Sequence, residues 1–224
     1  MSGILYIVAT PIGNLQDVTF RAQEILSRVD WIACEDTRVS KKLLDHLDLH
    51  KPLVALHEHS DKRALDHLVA RFKRGESGAY VSDAGTPGVN DPGGKLVEAC
   101  VQNSVTVVPI PGASALTTAI SVCGFAMDEF VYLGFVPHKK GRQTMFGEIA
   151  MRATPSIFFE STHRILKTLT ELAKHLDGSR QIFCGRELTK LHETLYRGSV
   201  DEVLKQLQTT SIKGEFVVIV GRSF

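Results

Sequence analysis

The chain has almost no net charge to work with. Its 26 lysines and arginines against 25 aspartates and glutamates leave a formal charge of +1. No whole-molecule field therefore draws it to nucleic acid or to an anionic membrane, and any polyanion has to be met by a local basic patch. Long apolar runs are missing too: none approaches the roughly 18 residues of a membrane span. The opening MSGILYIVAT lacks a basic segment ahead of a short apolar one, and a cytoplasmic location is expected. Cysteine is scarce and scattered. Cys34, Cys100, Cys123 and Cys184 form no C-x-x-C pair and each has apolar neighbours, which reads as buried free thiols. Nine histidines are present without an H-E-x-x-H, and the tripeptide His57-Glu58-His59 is not completed by further ligands, so no metal is expected. Internal repeats, low-complexity segments and Ser/Gly-rich linkers are also absent.

What remains is an ordinary globular composition: 224 residues, 43% hydrophobic and 23% charged. That length suits one large domain or two of about 110 residues, either able to bury a core. Short apolar runs alternate with amphipathic segments of helical period. In the first half the runs are ILYIVA (4–9), WIACE (31–35), LVALH (53–57), GAYVS (78–82) and VTVVPI (105–110). Between them lie VTFRAQEILSRV (18–29), which Asp17 is placed to cap, SKKLLDHL, KRALDHLVARFK and KLVEACVQN. Such alternation implies parallel strands with helical crossovers. After PGASALTTAISVCGF, a helix closed by Gly124, a second series begins: EFVYLGF, SIFFE, QIFCGRE, TLYRGS and EFVVIVG, separated by helical stretches near 143–151, 163–176 and 200–208. A second α/β domain follows, with the boundary within 112–128.

The loop VSDAGTPGVNDPGG (81–94) stands at the carboxyl end of a strand, where open α/β sheets bind ligands. Gly85 and Gly88 permit close backbone approach, while Pro87 and Pro92 stiffen the turn. Asp83 and Asp91 argue against a phosphate: two like charges 4 Å apart repel by about 4 kcal/mol at an effective dielectric of 20. The phosphate-loop pattern G-x-x-x-x-G-K-[ST] fails at Val89 and Leu96. The dinucleotide pattern fails because TPIGNLQD, after the first strand, offers only Gly13. Hydroxyls, ammonium groups or a cationic ligand suit Asp83 better.

Seven segments in order, VATPIGNLQDVTFRA, CEDTR, VSDAGTPGVNDPG, PIPGASAL, FFESTHR, RELTK and KGEFVVIVG, resemble the tetrapyrrole methylase-like superfamily over nearly the whole chain. Within it they are similar to the rRNA branch, which transfers a methyl group from S-adenosylmethionine to a cytidine ribose 2′-hydroxyl in the decoding region of small-subunit rRNA. Ala9 and Ala113 stand where proline is frequent in that family, and many members continue past the last strand into a further small helical domain. The resemblance implies two α/β domains, 1–115 and 116–224, mainly parallel sheet in the first and mixed sheet in the second, with a ligand cleft between them. It implies S-adenosyl-L-methionine bound by Pro11, Gly13, Asp83, Gly85, Thr86, Ser114, Ala115, Leu188, Gly214 and Glu215, and a homodimer.

In-line methyl transfer needs alignment first, and a positioned base adds roughly 10²- to 10⁴-fold. Candidates are Glu187 and Lys190, Glu160, and Asp36, Arg38 and Glu35; each is equally readable as part of an ion pair, and the sequence does not choose among them. For rRNA phosphates the dense patch is HKKGR (138–142), with Lys139, Lys140 and Arg142 as the contacts, and Arg71, Lys73 and Arg74 form a second cluster. Two other readings stand beside this one. A tetrapyrrole methyltransferase is disfavoured by CEDTR, ESTHR and RELTK, and a non-enzymatic nucleotide-binding module leaves the polar motifs of the second half unexplained.

Overall fold

A computed structural model of the chain describes residues 2–57 and 62–222; part of the His57-Glu58-His59 tripeptide thus lies outside the described residues. Two compact units are present, Met1–Ser114 and Ala115–Phe224.

The first unit is built on β1 (Ile4–Val8), β2 (Trp31–Cys34), β3 (Leu53–Ala55), β4 (Gly78–Val81) and β5 (Thr106–Ile110). They form one wholly parallel sheet in the order β3-β2-β4-β1-β5. Both faces are covered, which is why the strands read as unbroken apolar runs. On one face Leu5, Trp31, Ala33 and Tyr80 pack with α3 (Lys62–Lys73) and α4 (Gly93–Gln102). On the other, Val8, Ile32, Cys34 and Val81 pack with α1 (Phe20–Arg28) and α2 (Thr37–His46). The cap of α1 is Thr19, whose side chain accepts from the Ala22 N–H at 3.0 Å. Asp17, expected to cap it, instead ends a separate 3-10 turn, Leu15–Asp17, capped by Asn14.

The topology marks where a ligand is expected. From β1 the chain leaves toward β2, and from neighbouring β4 it leaves toward β5, in the opposite direction and over the opposite face. The loops after β1 and β4 diverge there, which makes the crevice at their carboxyl ends the binding position of this architecture.

The second unit begins with α5 (Ala115–Val122) and continues through β6 (Val131–Phe135), α6 (Arg142–Met151), β7 (Ser156–Ser161), α7 (Ile165–Leu172), β8 (Gln181–Arg186), β9 (Thr194–Ser199), α8 (Val200–Gln208) and β10 (Glu215–Val220). The sheet order is β6-β7-β10-β8-β9, with β6 and β7 parallel and the remaining pairs antiparallel. Phe158, Cys184, Phe216, Val218 and Tyr196 face α6, α7 and α8. On the opposite face the Arg197 guanidinium, stacked on Phe183, donates to the Val122 and Cys123 carbonyls at the end of α5.

All four cysteines are free and buried, and burial pushes the Cys100 thiol up to about 11. Among the described residues no helix is long and apolar enough to cross a membrane.

Arg180 closes the far end of this sheet. Its buried guanidinium donates to the carbonyls of Ala150 (3.0 Å), Arg152 (2.9 Å), Ile149 (3.4 Å) and Gly221 (2.8 Å), so it caps α6 and ties it to the end of β10. Arg180→Met strands several buried acceptors at once, each worth about 1–3 kcal/mol. A loss of about 3 kcal/mol in urea unfolding is expected, with only partial recovery in Arg180→Lys.

Candidate active site at the sheet ends

Parallel strands end together, so the loops after β1, β2, β4 and β5 share one edge of the first sheet. The loops after β1 and β4 are bonded to each other: Thr10 N–H donates to Gly85 O at 2.9 Å and Gly85 N–H to Thr10 O at 3.1 Å. The Thr10 and Ser82 hydroxyls, both buried, donate to Ser82 O and Gly85 O at 3.2 Å each. Thr86 reaches the loop after β5 through its hydroxyl, 3.0 Å from Ala113 O. Gly85 is at φ +84°, and a Cβ there would lie 3.2 Å from the Ile12 side chain, so the turn has neither the backbone freedom nor the room for a larger residue. Pro11 is buried, Gly13 exposed, and Ser114 and Ala115 half-buried at the start of α5.

The acidic residues of this edge divide by role. Asp91 holds its own turn, taking N–H groups from Gly88 (2.7 Å), Val89 (3.0 Å) and Gly93 (2.8 Å). Asp36 caps α2 through the Arg38 N–H at 2.8 Å and pairs with the Arg38 guanidinium at 2.6 Å; that pairing holds its carboxyl at about 2. Glu35 is half-buried just after β2. Asp83 differs. One oxygen accepts the Asp36 N–H at 3.0 Å, and burial, reinforced by the Asp36 charge, raises its pKa above the ordinary aspartate value. A carboxylate held at such a cost is the natural counter-charge for a cation.

The second sheet builds a corner of its own. Because β10 runs antiparallel to β7 and β8, its first residues meet the last residues of both. Lys190 Nζ donates to Glu187 Oε1 at 2.8 Å and Glu215 Oε2 at 3.0 Å, and Glu187 Oε1 also accepts the Glu215 N–H at 3.0 Å. Burial opposes charge on both side chains, but the pairing prevails: the Lys190 pKa lies above and the Glu187 pKa below its ordinary value. Lys190 is thus a fixed cation and Glu187 a fixed anion. Gly214 is at φ +121°, and a Cβ there would stand 2.3 Å from Glu187 Cγ. The backbone bends back on itself at Glu187 (φ 52°) and Thr189 (φ 67°), an uncommon state for such residues. Leu188 between them is buried.

Residues not singled out from the sequence complete both corners. Thr162 both donates to Gly214 O and accepts from Gly214 N–H. Buried Arg186 donates to Lys213 O at 2.7 Å and His192 O at 3.0 Å. Thr10 joins the loops of the first sheet. Each sits inside a quoted motif: Thr10 in VATPIGNLQDVTFRA, Thr162 in FFESTHR and Arg186 in RELTK.

Two assignments from the sequence need correction. Arg142, expected to contact phosphate, is only 5% exposed, with its guanidinium on Glu171 at 2.6 Å and on the Thr168 hydroxyl at 2.7 Å. Helical period turned it inward: Arg142, Phe146 and Ile149 form one buried stripe. Glu160, a candidate base, is 1% exposed and saturated by Ser161 N–H, the Thr168 hydroxyl and the Arg164 guanidinium; strand alternation puts it on the Phe158 face, under the helices. Lys139 and Lys140 are exposed. Of the second basic cluster, Arg71 and Arg74 share the single Glu76 carboxylate at 2.7 and 3.0 Å, and Lys73 bonds Asn103 at 2.8 Å. Among the described residues no group of three His, Cys, Asp or Glu is arranged to hold a metal.

Comparison with known proteins gives the family and the fold. Residues 4–204 match the model of the tetrapyrrole (corrin/porphyrin) methylases. The protein named ribosomal RNA small subunit methyltransferase I from Synechocystis sp. is 44% identical over 220 residues, covering 98% of this chain and 79% of that protein. The protein of the same name from Pasteurella multocida is 46% identical over 223 residues, again covering 98% and 79%. Among solved structures, uroporphyrin-III-C-methyltransferase from Thermus thermophilus superposes with a TM-score of 0.66 at 18% identity, covering 98% of this chain and 94% of that one. Cobalt precorrin-4 methyltransferase gives 0.69 at 15% identity, covering 97% and 94%. These structures share the fold. The chain belongs to the tetrapyrrole methylase family, and within it to the group of the small-subunit rRNA methyltransferases I.

Proposed function

We propose that the chain is an S-adenosylmethionine-dependent methyltransferase that methylates a cytidine ribose 2′-hydroxyl in the decoding region of small-subunit rRNA. The observation that carries this reading is the 44–46% identity, over 98% of the chain, to proteins named for small-subunit rRNA methylation. The site chemistry supports it. S-adenosylmethionine brings a sulfonium and an ammonium against one carboxylate, and no pyrophosphate, so a partly buried Asp83 beside a glycine turn suits it better than it suits a dinucleotide.

Pro11, Gly13, Asp83, Gly85 and Thr86, with Ser114 and Ala115, hold the donor; for Leu188, Gly214 and Glu215 the same role rests on the family resemblance. The donor supplies an electrophilic methyl group. The chain orients it and the ribose oxygen for in-line displacement, which is the main term. Lys190, fixed as a cation, is a hydrogen-bond donor and not a proton acceptor. It stabilises the ribose oxygen as an alkoxide once the hydroxyl proton has passed to solvent water; that oxygen then bonds the methyl carbon as the carbon–sulfur bond breaks, while Glu187 and Glu215 hold the ammonium in place. Asp36 and Arg38 brace α2.

The test is methyl incorporation, in EDTA, into purified small subunits and into a precorrin-type acceptor. Incorporation into the subunits alone is expected. Incorporation into the precorrin alone, dependence on added metal, or preferential binding of NAD or ATP overturns the reading. A folded subunit presents one splayed nucleotide where free RNA presents many flexible riboses, so assembled subunits are the better substrate.

Lys139 and Lys140 contact backbone phosphates. In Lys139→Ala/Lys140→Ala, subunit affinity falls and the slope of log affinity against log salt flattens by about 1.4–2, with S-adenosylmethionine affinity unchanged. Identical slopes remove this loop from the RNA site. The working unit is a two-fold homodimer; light scattering at micromolar concentration that returns the 24.7 kDa monomer mass excludes it.

A further inference from the structure

The loop between β6 and α6 exposes His138, Lys139 and Lys140, yet its base is held from below. The Arg164 guanidinium donates to Val136 O, and the Arg142 guanidinium to Pro137 O at 3.3 Å. Both guanidiniums converge on buried Glu160, whose Oε2 lies 3.1 Å from Arg164 Nη2 and 3.9 Å from Arg142 Nη1. Thr168, also fully buried, closes the ring: its hydroxyl accepts from Arg142 Nη2 at 2.7 Å and donates to Glu160 Oε2 at 2.5 Å. Glu171 takes the outer edge of Arg142 at 2.6 Å.

A buried carboxylate between two guanidiniums is a poor source of stability, because the desolvation cost of such groups rivals their attraction, and apolar residues of equal volume commonly do as well. What apolar residues cannot do is donate to the Val136 and Pro137 carbonyls. Those two bonds fix the backbone on which Lys139 and Lys140 stand, which lowers the ordering cost when the lysines engage a ligand.

We propose that Glu160, Thr168, Arg142 and Arg164 are positioning residues that hold the 136–141 loop so that Lys139 and Lys140 meet rRNA phosphates. Glu160 therefore acts through the loop and not on the reacting ribose. The proposal rests on the rRNA methyltransferase reading given above.

The probe is Thr168→Val, which keeps the shape and removes the bridging hydroxyl, with Thr168→Ser as the rescue. Glu171→Gln, at the outer end of the network, gives a smaller effect of the same sign. Three quantities are read: amide hydrogen exchange over 136–142 without substrate, KM for purified small subunits across a salt series, and S-adenosylmethionine affinity. Thr168→Val is expected to speed exchange in this loop, to raise KM about 3- to 10-fold and to flatten the salt dependence, while donor affinity holds. In the Lys139→Ala/Lys140→Ala background it adds nothing further, and Thr168→Ser restores the wild-type values. Unchanged exchange overturns the proposal, as does a KM effect that adds in full to that of the lysine variant, or a loss confined to kcat. A wild-type chain that leaves small subunits unmethylated overturns the underlying reading as well, and is told apart because the exchange measurement needs no substrate.

Discussion

Asp83→Asn is expected to weaken S-adenosylmethionine binding about 10- to 100-fold, the equivalent of one charge-assisted hydrogen bond at roughly 1.5–3 kcal/mol. Asparagine keeps the acceptor for the Asp36 N–H and loses only the charge. The sign with pH follows from the raised pKa of Asp83. A cation bound beside the carboxylate lowers that pKa, so affinity falls as pH drops through the raised value, somewhat above the usual aspartate range. In the variant this acid limb disappears. The unliganded fold moves the other way: above its unfolded pKa, an aspartate whose folded pKa is raised opposes folding, and the opposition fades as the group protonates. Asp83→Asn therefore melts no lower than wild type at neutral pH without ligand. Calorimetry at three pH values with thermal melts checks both, and wild-type affinity in the variant refutes the assignment.

Lys190→Met is expected to lower kcat about 10²- to 10³-fold, the range for removing one preorganised donor from a developing oxyanion, with donor affinity within a few-fold of wild type. Because the Lys190 pKa is raised, its charge and the bonds to Glu187 and Glu215 persist through neutral pH and are lost only as pH rises above the ordinary lysine value. The pH–rate profile should then show no limb near neutrality from this group, and Lys190→Arg should retain part of the rate. A variant with wild-type kcat in single-turnover assays excludes Lys190 from the chemistry. Gly214→Val should lower kcat as Lys190→Met does, since its side chain would collide with the Glu187 side chain that orients the ammonium, and should weaken donor binding as well, because Gly214 is assigned to the donor pocket.

Much of this was legible in the sequence. ILYIVA, WIACE and GAYVS announce strands buried on both faces, and the loop after GAYVS falls at the carboxyl end of the parallel sheet, where such sheets bind ligands. The failures have local causes. Asp17 and Thr19 are both good caps two residues apart, and only the 3-10 turn at Leu15–Asp17 decides between them. HKKGR looks like one dense basic patch, although spacing to Phe146 and Ile149 points Arg142 inward. Glu160 in FFESTHR is a carboxylate inside a polar motif and so a candidate base, while its parity with Phe158 puts it under the helices. The Lys190–Glu187–Glu215 corner depends on β10 entering antiparallel between β7 and β8, a pairing of segments 25 or more residues apart that no local pattern encodes.

The strand order of the first unit also bears on how the chain is made. β1 and β2 are not neighbours; β4 lies between them. A nascent chain that has delivered β1, β2 and β3 but not residues 78–81 can pair only β2 with β3, because β4 and β5, the two strands that pair with β1, are still to come. β1 and the open edge of β2 are then apolar and unpaired, the kind of surface that captures stray strands. The arrival of β4 joins β1 to β2 and brings Gly85 against Thr10, so the link across the sheet and the loop at its end form together. A truncation before Gly78 should therefore aggregate, and should not persist as a soluble domain that merely lacks its ligand.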